Sequence, residues 1–147
     1  MKYLQLILTG ILLLGPSLFA QQNTPEGNWR TFDEKTGKPK AIIKIEINDS
    51  ILTGKIIKSF EVDSTEVCSR CSGKQKNQPI YGLQIIQNMV RKKDPSNWGS
   101  GTILDPENGN VYSCTLQLKE NGKKLIVRGF LGVAAFGRTQ IWIRDPL

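Results

Sequence analysis

Histidine is absent from the 147 residues, and that absence bounds the chemistry before any motif does. Ser-His-Asp and Cys-His nucleophilic catalysis, His-based zinc sites and the usual neutral-pH proton shuttle all fall away together. The residues left that could do chemistry form three groups. The first is Cys68-Ser69-Arg70-Cys71. In an oxidising compartment two such near neighbours form a disulfide that staples a loop. A redox-active pair calls for a thioredoxin-like βαβ setting and a metal site for further soft ligands, and the sequence supplies neither. Cys114 lies on an apolar strand face and is read as a small buried hydrophobe.

The second group is Arg128, Arg138, Gln140, Trp142 and Tyr112. Arginines on strands that also carry large apolar residues either border solvent or enter a partly polar cavity, where a buried guanidinium needs a carboxylate or an anionic ligand. One reading is a pocket with two cationic heads and an amide, suited to a carboxylate or phosphate end group. The other is a structural Arg–Trp stack beside a paired acid such as Asp105 or Glu107. The third group is acidic: Asp33, Glu34, Glu61, Asp63 and Glu66 are available for paired-carboxylate chemistry, but all sit in turns or in one long loop. Asp105-Pro106-Glu107-Asn108-Gly109 carries oxygen ligands without the alternating pattern of a calcium loop, and Asp-Pro with Asn-Gly is hairpin-turn chemistry. Neither a catalytic set, a metal site nor a cofactor motif is indicated.

The elements that position these residues read as short strands separated by turns. Strands are expected over 27–33, 41–47, 51–58, 98–104, 111–118, 125–131 and 138–144. Ile43, Ile45 and Ile47 share one face, as do Leu52, Gly54 and Ile56, and as do Tyr112, Cys114, Leu116 and Leu118. Asn48-Asp49-Ser50 and the Asn121-Gly122 step are hairpin turns. Residues 59–78 are polar and read as a long connection of the kind that often carries function. Residues 79–90 fit a strand or a short helical turn feeding one. About eight strands result, either closed as a barrel or stacked as a sandwich. The barrel is preferred because closure removes unpaired edges and because Gly54, Gly99, Gly101 and Gly129 suit sharp bends.

Residues 1–20 stand apart. Lys2 precedes an apolar run over 4–14, Gly15-Pro16-Ser17 breaks it, and Ala20 offers a cleavage site after a larger Leu18. This is the order of a secretory signal peptide, and the run is too short to span a bilayer. The expected organisation is a leader over 1–20 and one domain over 21–147 that is periplasmic or secreted and has no membrane span once the leader is cut. The formal net charge is +7, but Lys35, Lys38, Lys40, Lys44, Lys74, Lys76 and Arg91-Lys92-Lys93 are scattered rather than striped. They read as solvated surface, not a nucleic-acid face.

Gly27-Asn28-Trp29 resembles the Gly-x-Trp opening of lipocalins, avidins and related calycin barrels. That likeness implies a Trp29 that closes one barrel end beneath an arginine of the last strand, Arg138 or Arg144. The string Trp98-Gly-Ser-Gly-Thr-Ile-Leu-Asp-Pro-Glu-Asn-Gly-Asn-Val-Tyr112 is similar to a segment of the uncharacterised bacterial family DUF2147. Val127-Arg-Gly-Phe-Leu-Gly132, Gly137-Arg-Thr-Gln-Ile-Trp142, Gly54-Lys55-Ile56 and Pro79-Ile-Tyr-Gly-Leu83 follow the same family's blocks. The resemblance implies an exported protein with a small lipocalin-like β fold and carries over no catalytic residue. Three functions are carried forward. The first is a barrel that binds a small amphipathic or acidic ligand. The second is an envelope interaction or structural protein whose 59–78 loop meets a protein or glycan. The third, ranked last, is a histidine-independent enzyme.

Overall fold

The computed structural model describes residues 23–146, so the leader expected over 1–20 lies outside the described residues. Eight antiparallel strands run in order around a closed barrel: β1 (Gly27–Phe32), β2 (Pro39–Asn48), β3 (Ile51–Ser59), β4 (Gln84–Arg91), β5 (Asn97–Leu104), β6 (Val111–Lys119), β7 (Lys124–Phe130) and β8 (Arg138–Asp145). Each strand pairs with its successor, and β8 returns to β1 through Trp29↔Arg144 and Arg30↔Ile143. The sandwich alternative is therefore set aside. An ion pair reinforces the seam from outside, with Arg30 Nη2 2.6 Å from Asp145 Oδ2.

Strand alternation sets which residues fill the interior. Trp29, Ile43, Ile45, Leu52, Ile86, Met89, Leu116, Leu125 and Trp142 are buried in one apolar cluster. The ambiguous 79–90 segment is a turn at 81–82 leading into β4. Its parity breaks at Asn88, where φ is +56°. The break lets both Ile86 and Met89 be fully buried. Opposite this kink sits Gly101, where a Cβ would lie 2.3 Å from the Gln87 carbonyl oxygen. The glycine admits close approach of β4 and β5.

Two ends result. At one, tight turns close the barrel. Asp49 and Ser50 take φ of +49° and +65° between the paired Asn48 and Ile51, and Asn121 and Gly122 take +53° and +84° as Lys123 N donates to Glu120 O. At the other end lie the four longer connections, over 33–38, 60–83, 105–110 and 131–137. Two of these share one design. Asp33 and Asp105 each bond through the backbone to the residue five ahead, and each accepts the amide of the glycine four ahead, Gly37 and Gly109. Each aspartate side chain also accepts the amide two residues on, from Lys35 and Glu107 respectively.

Candidate functional site: a cavity at the open barrel end

The inward face of β8 runs from the open end to the closed one as Arg138, Gln140, Trp142 and Arg144, because alternate residues point to one side. At the closed end Arg144 stacks on Trp29, its Cζ 4.3 Å from the ring centroid. Its Nη1 and Nη2 donate to Glu26 O and Thr24 O at 2.6 Å each, and its Nε donates to Gly122 O. Trp29 Nε1 donates to Pro25 O at 2.7 Å. Burial holds the Arg144 pKa below its ordinary value. Gly27 has φ +119°, and a Cβ there would come within 2.9 Å of Arg144 Nη1. Gly27, Trp29 and Arg144 thus form one plug.

Above the buried Trp142 the interior is not filled. A cavity of about 780 Å³ opens between the longer connections. Its apolar wall comes from Ala41, Ile56, Ile103, Leu104, Val127 and Phe130, with Gly129 leaving room between strands. Its polar wall includes Thr31, Lys40, Arg70, Tyr112, Arg138 and Gln140, with Glu61, Glu66, Asp105 and Glu107 at the rim. Trp142 Nε1 donates to Gln140 Oε1 at 3.1 Å, which fixes the amide at the cavity floor.

Of the five residues singled out for ligand contact, Tyr112, Arg138 and Gln140 lie on the cavity wall. Trp142, only 2% exposed, belongs to the packed core beneath it. Arg128 stands apart from all four. Leu125 and Val127 are buried in the core, so Arg128 points to the outer face. There its Nη1 donates to Thr139 Oγ1 at 2.7 Å and its Nη2 to Ala135 O at 3.3 Å.

The acid beside Arg138 is Glu34, not Asp105 or Glu107. Arg138 Nε donates to both Glu34 carboxylate oxygens, at 2.8 and 2.9 Å. The pairing holds Glu34 below the usual carboxylate range and raises Arg138. Burial works against the Lys40 charge, yet its hydrogen bond to Glu107, with Glu61 3.7 Å away, lifts Lys40 above the ordinary lysine value. The carboxylates considered for catalysis are divided accordingly. Glu61 and Glu66 reach the cavity, Glu34 bonds Arg138, and Asp33 accepts the amides of Lys35 and Thr36 in its own turn.

Residues 60–83 form a strap across the open end. Cys68 and Cys71 sit at disulfide distance, with Cα atoms 5.4 Å apart, and both are buried against the core. Cys68 N donates to Gln78 O and Ile80 N to Glu66 O, so the strap is bonded to itself. Arg70 Nη1 donates to Glu107 O at 3.1 Å. Gly109, with φ +76°, lets the strap lie on the 105–110 turn, since a Cβ there would be 2.0 Å from Arg70 O. The third cysteine, Cys114, is buried in the barrel, and burial pushes its thiol up to about 12.

Sequence reasoning passed over Lys40, Thr31, Ile103, Val127 and Gly129 as cavity residues. For Thr31 a signal was present, since it lies two residues beyond Trp29 on the same strand face. Its hydroxyl accepts the Ala41 amide at 3.1 Å.

Comparison with curated proteins finds no match. Among solved structures, protein HP1028 from the human pathogen Helicobacter pylori, described as belonging to the lipocalin family, superposes with a TM-score of 0.72 at 14% identity over 83% of each chain. At that identity the likeness establishes the fold, an eight-stranded lipocalin-like barrel, and nothing of the ligand. The family model described as "Uncharacterized protein conserved in bacteria (DUF2147)" matches residues 27–144, nearly all of the barrel, and the chain belongs to that family.

Proposed function

We propose that the protein is exported and holds one small amphipathic molecule in the open half of the barrel. The carrying observation is a cavity of about 780 Å³ above the core around Trp29 and Trp142, bounded by the barrel wall and the longer connections, with an apolar wall and a polar rim. Volumes of roughly 300–1,000 Å³ with a few convergent polar groups are those of small-molecule sites. Tyr112, Gln140 and Arg138 would meet the polar end of the ligand, and Ala41, Ile56, Val127 and Phe130 its apolar body.

The charge arrangement favours an amphipathic ligand over a purely acidic one. Arg138 and Lys40 already face carboxylates, so an acidic end group would have to displace Glu34 or Glu107 while lying near Glu61 and Glu66. A neutral or zwitterionic polar end avoids that repulsion. Export is supported by the leader-like residues 1–20 and by the paired cysteines, which suit an oxidising compartment.

Native mass spectrometry of protein purified without detergent, followed by solvent extraction, tests the reading. A discrete added mass that is extracted with organic solvent is the expected result. Preparations from several growth conditions that carry no added mass and take up no alkyl amphipath would overturn it. They would redirect attention to the 59–78 loop as a protein- or glycan-binding element.

A further inference from the structure

Three polar groups on the cavity wall have already used one half of their hydrogen-bonding capacity on the protein, and the half that remains is of one kind. A hydroxyl has one proton and two lone pairs. Tyr112 Oη accepts Asn108 Nδ2 at 3.2 Å and Asn110 Nδ2 at 3.4 Å. The orientation of the Asn108 amide is fixed from both sides, because its Oδ1 accepts the Asn110 backbone amide at 2.8 Å while its Nδ2 also donates to Asp105 Oδ2 at 2.9 Å. An N–H therefore faces the phenol oxygen. Ser59, at the end of β3 and also on the cavity wall, repeats the pattern. Its Oγ accepts the backbone amides of Glu61 and Val62 at 3.2 Å each. Both hydroxyls are left with a proton to give, and among the described residues no acceptor takes either one. Gln140 is committed in the same sense. Its Oε1 accepts the indole N–H of Trp142, a group that can only donate, and its own N–H helps hold the Glu34 carboxylate charged. The amide nitrogen, with two hydrogens, is the end left for the cavity.

We propose that the molecule held in the cavity is of the ketone or ester class, with polar oxygens that accept hydrogen bonds and donate none, and that Ser59, Tyr112 and Gln140 are the donors that select it. The inference rests on the cavity being a ligand site. The other polar groups of the wall are already matched. Thr31 Oγ accepts the Ala41 amide at 3.1 Å and donates to the Ala41 carbonyl at 3.4 Å, and Lys40 and Arg138 face carboxylates. An alkyl end placed against Ser59 or Tyr112 would displace water and strand a donor, and a site built in this way rejects analogues that lack the partner. An ammonium end would set N–H against O–H. A carboxylate end would accept the protons but lie near Glu61, Glu66, Asp105 and Glu107. An uncharged carbonyl meets the donors without that repulsion.

Displacement of the fluorophore N-phenyl-1-naphthylamine from the purified protein by 2-decanone, methyl nonanoate, decylammonium and decanoate tests the proposal. The ketone and the ester should be the tightest competitors. Y112F keeps the ring and removes the proton, and should lower the affinity for 2-decanone about three- to tenfold more than that for the fluorophore, as loss of one hydrogen bond implies. S59A, on a different strand, should act in the same direction, so the test does not hang on one variant. Infrared spectroscopy of carbonyl-labelled 2-decanone reads the bond itself. Its stretch should move to lower frequency on binding to the wild type, relative to the ketone in hexadecane, and move part of the way back in Y112F. A bound carbonyl stretch at its hexadecane position, or the same ratio of ketone to fluorophore affinity in the wild type and both variants, overturns this inference and leaves the cavity reading standing. Decylammonium as the tightest competitor also overturns it and assigns the polar end to the carboxylates of the rim. Absence of saturable fluorophore uptake by the wild type overturns both.

Discussion

Replacing Gly129 by leucine separates a hollow barrel from a filled one by the sign of its effect on stability. Gly129 sits on β7 at the cavity wall. A Cβ added there would meet Ile103 Cγ2 at 3.4 Å and Tyr112 Cβ at 3.5 Å, ordinary contact distances. Its φ is not in the left-handed region, so a side chain introduces no backbone strain. Restricting the unfolded chain contributes about 0.4–1 kcal/mol. Covering part of a leucine side chain adds to that, up to ~1.5–3 kcal/mol were it fully enclosed. The wall is open on one side, so a net gain of about 1 kcal/mol is expected for Gly129→Leu. Were the same space occupied by protein, the inserted side chain would overpack the interior and cost roughly 1–3 kcal/mol. Urea denaturation followed by tryptophan emission reads the difference, with an unchanged m-value showing that only stability has moved. A midpoint lowered by the equivalent of about 1 kcal/mol or more would refute the reasoning.

Three further perturbations follow from the same geometry. Arg144→Met removes three bonds to backbone carbonyls and the stack on Trp29 and should cost about 3 kcal/mol in chemical denaturation, with Trp29 emission shifted. Gly109→Ala forces a side chain into the Arg70 carbonyl at a left-handed backbone position. A loss of about 2 kcal/mol is expected, together with faster amide exchange confined to 60–83 and 105–110. The Glu34–Arg138 pair should make the open end acid-sensitive. Arg138 holds the Glu34 pKa below its ordinary value, so its stabilisation is present above the ordinary carboxylate range and is lost as pH falls through the lowered value. Amide exchange in 131–137, corrected for its intrinsic pH dependence, should rise at low pH in the wild type and be raised already at neutral pH in Glu34→Gln.

Most strands and turns were legible because period-two alternation and left-handed turn residues are local properties. Tyr112, Cys114, Leu116 and Leu118 announce their shared face without reference to any neighbour, and Asp49 and Asn121-Gly122 mark their turns by conformational preference alone. The cavity was less legible because it depends on pairings made across the chain. On β7 Leu125 and Val127 alternate with the equally apolar Ile126, so only the register against β6 and β8 tells that Arg128 faces outward. The Glu34–Arg138 pair joins residues 104 positions apart and exists only once β8 closes on β1. Parity on β4 is interrupted at Asn88, an effect of packing against Gly101 that the alternation of Leu83, Ile85 and Gln87 does not foretell. The Cys68–Cys71 spacing suggested a staple, but the surface it lies on is set by Gly109, in a turn read from local chemistry alone.

The most direct test of the account is titration of the purified domain with the neutral apolar fluorophore N-phenyl-1-naphthylamine. Saturable uptake of about one molecule per chain is expected for a cavity of this size, competed by a single-chain alkyl amphipath and lost in Gly129→Phe while the melting temperature is kept. Absence of saturable uptake, or equal uptake by Gly129→Phe, would contradict a ligand-holding barrel.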